Sequence, residues 1–157
     1  MNQSITAFFE ADHDRLDALF QKFQQLKRSD FAEAKANFRE FLQGLKRHIV
    51  WEEEILFPVF EQKTGMRDVG PTAVMRMEHR MIHEALDEIH VKVRAQDPAS
   101  DDAEQRLLSV LSQHNLKEEN ILYPTIDRLV SDAERDAVLR KVRETSALET
   151  GACCGCG

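Results

Sequence analysis

The chain has 157 residues, 31% charged and 42% hydrophobic, with a formal net charge of −7. That balance is globular and fits one domain, and the acidic charge speaks against a phosphate-backbone partner such as nucleic acid. No apolar run approaches the roughly 18 residues of a membrane span, and the start lacks the basic region of a signal peptide. The expectation is a cytoplasmic protein without membrane contact. Six Gly and four Pro are too few for a many-stranded β architecture. The three cysteines, Cys153, Cys154 and Cys156, all fall in the last five residues and cannot form a disulfide framework.

Apolar periodicity gives the elements. Ile5, Phe9, Leu16, Phe20, Phe23 and Leu26 recur on one face of a first helix starting after Ser4. Asp30 and Glu33 open a second, striped by Phe38, Phe41, Leu45, Leu56 and Val59. Gly65, Gly70 and Pro71 mark the mid-chain loop. A third helix carries Met75, Ile82, Leu86, Ile89 and Val93, and ends before Pro98. Asp101 and Glu104 open a fourth, with Leu107, Leu111, Ile121 and Leu122. Ser131 and Glu134 start a shorter fifth that fades near Leu148. The expected fold is all-α: an antiparallel up-down four-helix bundle with a short C-terminal helix. The bundle and this helix occupy residues 1–148, and a flexible Cys-containing tail occupies 149–157.

The two hairpins repeat. His48-Ile-Val-Trp-Glu52-Glu53-Glu54-Ile55-Leu56-Phe57-Pro58 matches His114-Asn-Leu-Lys-Glu118-Glu119-Asn120-Ile121-Leu122-Tyr123-Pro124 at an offset of 66. The same offset carries His13 onto His79, which implies a pseudo-twofold axis along the bundle. Position 17 breaks the match, with Asp17 standing where the second copy has His83.

These polar residues sit inside the apolar stripes. Leu45, His48, Glu52 and Leu56 continue one face, as do Leu111, His114, Glu118 and Ile121. Counted from the hairpin turns at 1.5 Å per residue, all lie within about one helical turn of each other. Five His and two Glu in one layer are too many for a satisfied apolar core, because unpaired buried charge costs several kcal/mol. A metal satisfies them all. Seven donors exceed one first-row coordination sphere, so the count points to two ions, and the N/O donor set suits iron best among redox metals.

This constellation resembles the hemerythrin-like family, the HHE cation-binding domain, over roughly residues 5–130. The resemblance implies a non-haem di-iron centre with an oxo or hydroxo bridge. His79, His83 and His114 would hold one iron, His13 and His48 the other, and Glu52 and Glu118 would bridge them. Such a set leaves one position open, on the iron with two His, for O2, peroxide or NO. Oxygen-carrying members usually have Asp at one bridge, one residue further on. Glu118, four after His114, is instead the arrangement of many bacterial relatives. The expected role is therefore oxygen or redox sensing or binding. A peroxide- or NO-reducing enzyme, and an iron donor or Fe–S repair protein, are the alternatives, the last suggested by the thiol tail.

Of the remaining residues, Trp51 and Tyr123 are expected to pack in the core and His90 to be a partly exposed structural residue. Glu53, Glu54 and Glu119 are expected to face solvent or to stand behind the ligand imidazoles. Pro58 and Pro124 should kink or end their helices just past the ligands.

Overall fold

The computed structural model describes residues 3–152, and the side chains of residues 3–146. Each long helix starts where the sequence offers an acceptor to orphaned backbone amides. Ser4 Oγ accepts from the Ala7 amide at 3.0 Å and opens α1 (Ile5–Leu26). Asp30 accepts from the Glu33 amide at 3.2 Å and opens α2 (Phe31–Trp51). A π turn, Glu52–Leu56, leads straight into α3 (Phe57–Thr64). Gly65 and Gly70, at φ of 74° and 92°, bracket the loop before α4 (Pro71–Arg94). Those angles are cheap only for glycine.

The end of α4 is a Schellman turn. The Asp97 amide donates to the Lys92 carbonyl at 2.9 Å and the Gln96 amide to Val93 at 3.0 Å. Gln96 takes the left-handed position, at φ 54°. Next, α5 (Asp101–Lys117) passes through a second π turn, Glu118–Leu122, into α6 (Tyr123–Leu129). Finally α7 (Asp132–Ala152) opens on a reciprocal box: the Glu134 amide donates to Ser131 Oγ, and the Ser131 amide to Glu134 Oε1.

Since each π turn joins two coaxial pieces, the chain forms four antiparallel rods in up-down order, with α7 as a fifth. No strand occurs among the described residues. Contacts are densest within each hairpin, α1 on α2 and α4 on α5. The expected four-helix bundle with an added C-terminal helix is therefore observed, but α7 is not short: it runs 21 residues, to Ala152, past the expected end near Leu148. The three tail cysteines lie outside the described residues.

The core divides into two apolar clusters. One fills the hairpin-turn end with Leu16, Phe20, Phe23, Phe38, Phe41, Leu86 and Leu107 among others. The second fills the opposite end with Ile5, Phe9, Trp51, Leu56, Phe57, Leu122 and Tyr123, and includes Val138 and Val142 of α7. The first π turn is backed by α7.

Polar clamps close both ends. The Asp127 carboxylate accepts from the Ile5 and Thr6 amides at 2.9 and 3.0 Å, fixing the start of α1. At the hairpin turns Glu104 does not cap α5, since Ser100 takes the cap position. Its carboxylate turns inward instead, to Lys27 Nζ at 2.5 Å and Ser100 Oγ at 2.6 Å. Both Lys27 and Glu104 are buried. Their ion pair ties one hairpin turn to the other.

Candidate metal centre

Between the apolar clusters lies a layer of six buried ionisable side chains. Glu52 and Glu118 are 0% exposed and open the two π turns; His13, His48, His79 and His114 are at most 4% exposed. Their donor atoms converge in two groups, His13–His48–Glu52–Glu118 and Glu52–His79–His114–Glu118. Within each group the atoms lie within 4.8 Å of one another, and both carboxylates belong to both. Each group could hold a metal ion, and the two groups share both carboxylates.

Unsatisfied atoms test the fit. Glu52 Oε2, His79 Nε2 and Glu118 Oε1 are buried and make no hydrogen bond. His79 Nε2 lies 3.0 Å from Glu52 Oε2, and His114 Nε2 lies 3.0 Å from Glu118 Oε1. Buried polar atoms are seldom left this way, and a cation between such atoms satisfies both. The residues present therefore suit a bound metal.

Every imidazole is held from behind by a carboxylate. Nδ1 of His48 donates to Asp12 at 2.8 Å, and Nδ1 of His114 to Glu78 at 2.9 Å. Nδ1 of His79 donates to Glu53 at 2.8 Å, and Nδ1 of His13 to Glu119 at 2.7 Å. Asp12 and Glu78 are 66 positions apart, as are Glu53 and Glu119. This arrangement keeps each Nε2 lone pair aimed at the centre and raises its basicity. Glu53 and Glu119 thus stand behind the imidazoles, one of the two places expected of them. Asp12 and Glu78 were missed, though each immediately precedes a repeated His.

The electrostatics follow from these pairs. Burial presses His48 down, but Glu52 and Asp12 outweigh it and lift the imidazole to about 10. Burial likewise opposes Glu52 and Glu53 at His79, which rises to about 9. His114 also rises, through Glu118 against its burial. Glu52, despite burial, is held well below the usual carboxylate range by His48 and His79. The metal-free layer therefore holds protons, which a cation would displace.

The π turns decide what stands beneath the two carboxylates. In an α-helix the fifth residue on points about 140° away. Here the Tyr123 amide bonds back to the Glu118 carbonyl, and the Phe57 amide to Glu52, so five residues close one turn. Pro124 and Pro58, which lack an amide donor, follow at once. The turn brings Tyr123 directly below Glu118. Its hydroxyl donates to Glu118 Oε2 at 2.9 Å and also contacts Glu52 Oε1. Burial and these two carboxylates push its phenol well above the ordinary range. Core packing alone does not describe Tyr123. Trp51 does pack as expected, against Phe8, Phe9 and His48.

His83 lies one turn from His79 but joins neither group of donors, and remains half-buried. His90 is half-buried near Phe38, as a structural residue would be. Asp17 lies at the rim of a cavity of about 160 Å³, lined also by Phe20, Phe41, Leu111 and Asn115. Leu111 precedes His114 by three residues and Asp17 follows His13 by four, so the cavity lies about one turn from the layer.

Comparison with known proteins agrees with this geometry. Residues 4–126 match the hemerythrin HHE cation-binding domain. The chain belongs to that family. Among curated proteins, the iron-sulfur cluster repair protein YtfE of Edwardsiella ictaluri is 35% identical over 52% of this chain and 41% of its own length. The protein of the same name from Salmonella schwarzengrund is 33% identical with the same coverage. The chain thus spans less than half the length of these relatives. No solved structure matches it significantly. Within this hemerythrin HHE-domain chain, no helix among the described residues is long and apolar enough to cross a membrane.

Proposed function

We propose that the chain is a non-haem di-iron protein that binds O2 or a related small ligand, peroxide or NO, in oxygen or redox sensing. His13 and His48 would hold one iron, His79 and His114 the other, with Glu52 and Glu118 as bridges. His83, one turn from His79, would complete the second set by a side-chain rotation. The observation that carries this reading is the pair of donor groups sharing two fully buried carboxylates. Bound iron would supply reversible redox chemistry and a position for a diatomic ligand. The chain's own contribution is to aim four imidazoles through carboxylates and to surround the centre with apolar side chains.

The cavity beside Asp17 supports small-ligand access, since it is of molecular size and one turn from His13. Iron analysis of the purified protein, followed by azide binding to its oxidised form, tests the reading. About two irons per chain and a saturable azide charge-transfer band are expected. Asp17→His should slow azide binding, because an imidazole there would reach toward the same centre as His13. Equal rates for the variant and wild type would place the entrance elsewhere.

The names of the relatives favour a second reading, iron delivery or Fe–S repair. Iron transfer from the loaded protein to an apo acceptor, lost on removal of Cys153, Cys154 and Cys156, would select it.

A further inference from the structure

The two halves of the centre differ at only a few positions, and two of those differences complement each other. Under the 66-residue repeat, Asp17 corresponds to His83 and Tyr123 to Phe57. The first hairpin's half, His13 and His48, thus loses a possible third imidazole at position 17. That same half is where the one added donor atom appears. Tyr123 Oη lies 3.4 Å from His13 Nε2 and 3.4 Å from His48 Nε2. It also lies 2.9 Å from Glu118 Oε2 and in contact with Glu52 Oε1, so it touches all four members of that donor group. In the other half Phe57, with no donor atom, lies parallel to the His79 ring at 5.8 Å.

Donor atoms bound at about 2.1 Å and at right angles to one another around one ion are about 3 Å apart. The spacings around Tyr123 Oη are of that order, whereas a residue that only fills the core would not point a hydroxyl at four converging ligand atoms. The Tyr123 side chain is fully buried.

From this we infer that Tyr123 is itself a metal ligand, the donor that completes the His13–His48 half of the centre where the repeat lacks a histidine. The inference rests on the di-iron reading. On binding ferric iron the phenol proton passes to solvent and the phenolate oxygen forms the bond, with no change of oxidation state. A bound cation favours this, since it is the largest charge in the site. The small ligand proposed above would then have to displace Tyr123, whose oxygen takes back a proton on leaving the metal, and the two irons would be chemically inequivalent.

Tyr123 is the one tyrosine in the chain, which makes a vibrational test decisive. The full chain is loaded with iron, oxidised, analysed for metal, and examined by resonance Raman with visible excitation. The expected result is about two irons per chain, with tyrosinate ring modes enhanced in the wild type and absent in Tyr123→Phe. Asp17→His/Tyr123→Phe, which restores the repeat's own ligand pattern, should hold both irons without those modes. Two irons in the wild type with no tyrosinate modes would overturn the inference and leave the di-iron reading standing. A protein that takes up no iron would overturn both.

Discussion

Asp12 accepts a hydrogen bond from Nδ1 of His48 at 2.8 Å, across the α1–α2 hairpin. The acceptor stands beside one histidine of the layer yet serves another on the neighbouring helix. Its repeat partner, Glu78, does the same for His114 at 2.9 Å. Each hairpin therefore sets its own imidazole before the two hairpins meet. Glu53 and Glu119 then serve histidines of the opposite hairpin, at 2.8 and 2.7 Å, and lock the halves together.

Asp12→Asn and Glu78→Gln should leave the helices intact and weaken metal binding about 10–100-fold, the usual effect of losing such a partner. Competition with a coloured chelator measures this. Unchanged affinity in both variants would show that the carboxylates only fill space.

His48→Ala and Glu118→Ala should lose iron and iron-dependent stability together. Metal that binds only the folded chain stabilises it by about 4 kcal/mol at a thousandfold excess over Kd. Thermal melts with and without iron should show a rise for the wild type and little for either variant. A variant that retains two irons and the full rise has lost no ligand.

The metal-free protein should lose stability in alkali. His48 and His79 titrate at about 10 and about 9 in the fold, above their ordinary value of 6.5. A raised folded pKa contributes stability that is complete below about 6.5 and disappears as pH climbs through 9 to 10. Iron uptake should show the opposite trend, tightening as pH rises, because bound imidazoles must be neutral. Urea melts of the metal-free protein from pH 6 to 10, beside iron titrations at the same pH values, check both signs.

Lys27→Ala should destabilise the fold by about 3–5 kcal/mol, since it leaves Glu104 buried and unpaired. Lys27→Met/Glu104→Leu should recover most of that loss, as apolar replacement of a buried pair often does. Iron content should not change in either, because this clamp joins the hairpin turns and makes no contact with the metal layer. Chemical denaturation and metal analysis together test it.

The helices, their antiparallel order and the level at which the polar residues meet are legible in the order of the amino acids. Each of these follows from spacing alone. The apolar stripes have the helical period, the loops carry their own glycines and prolines, and the repeat superposes His13 on His79 and Glu52 on Glu118. Tertiary structure decided the partners that come from other helices. Lys27 at the end of α1 is buried because α5 brings Glu104 against it. Asp12 and Glu78 look like solvent-facing neighbours of histidines until α2 and α5 pack beside them. Tyr123 was the least legible, for a physical reason. An α-helical count turns it about 140° from Glu118, and only the π turn, closing over five residues before Pro124, rotates its hydroxyl into the centre.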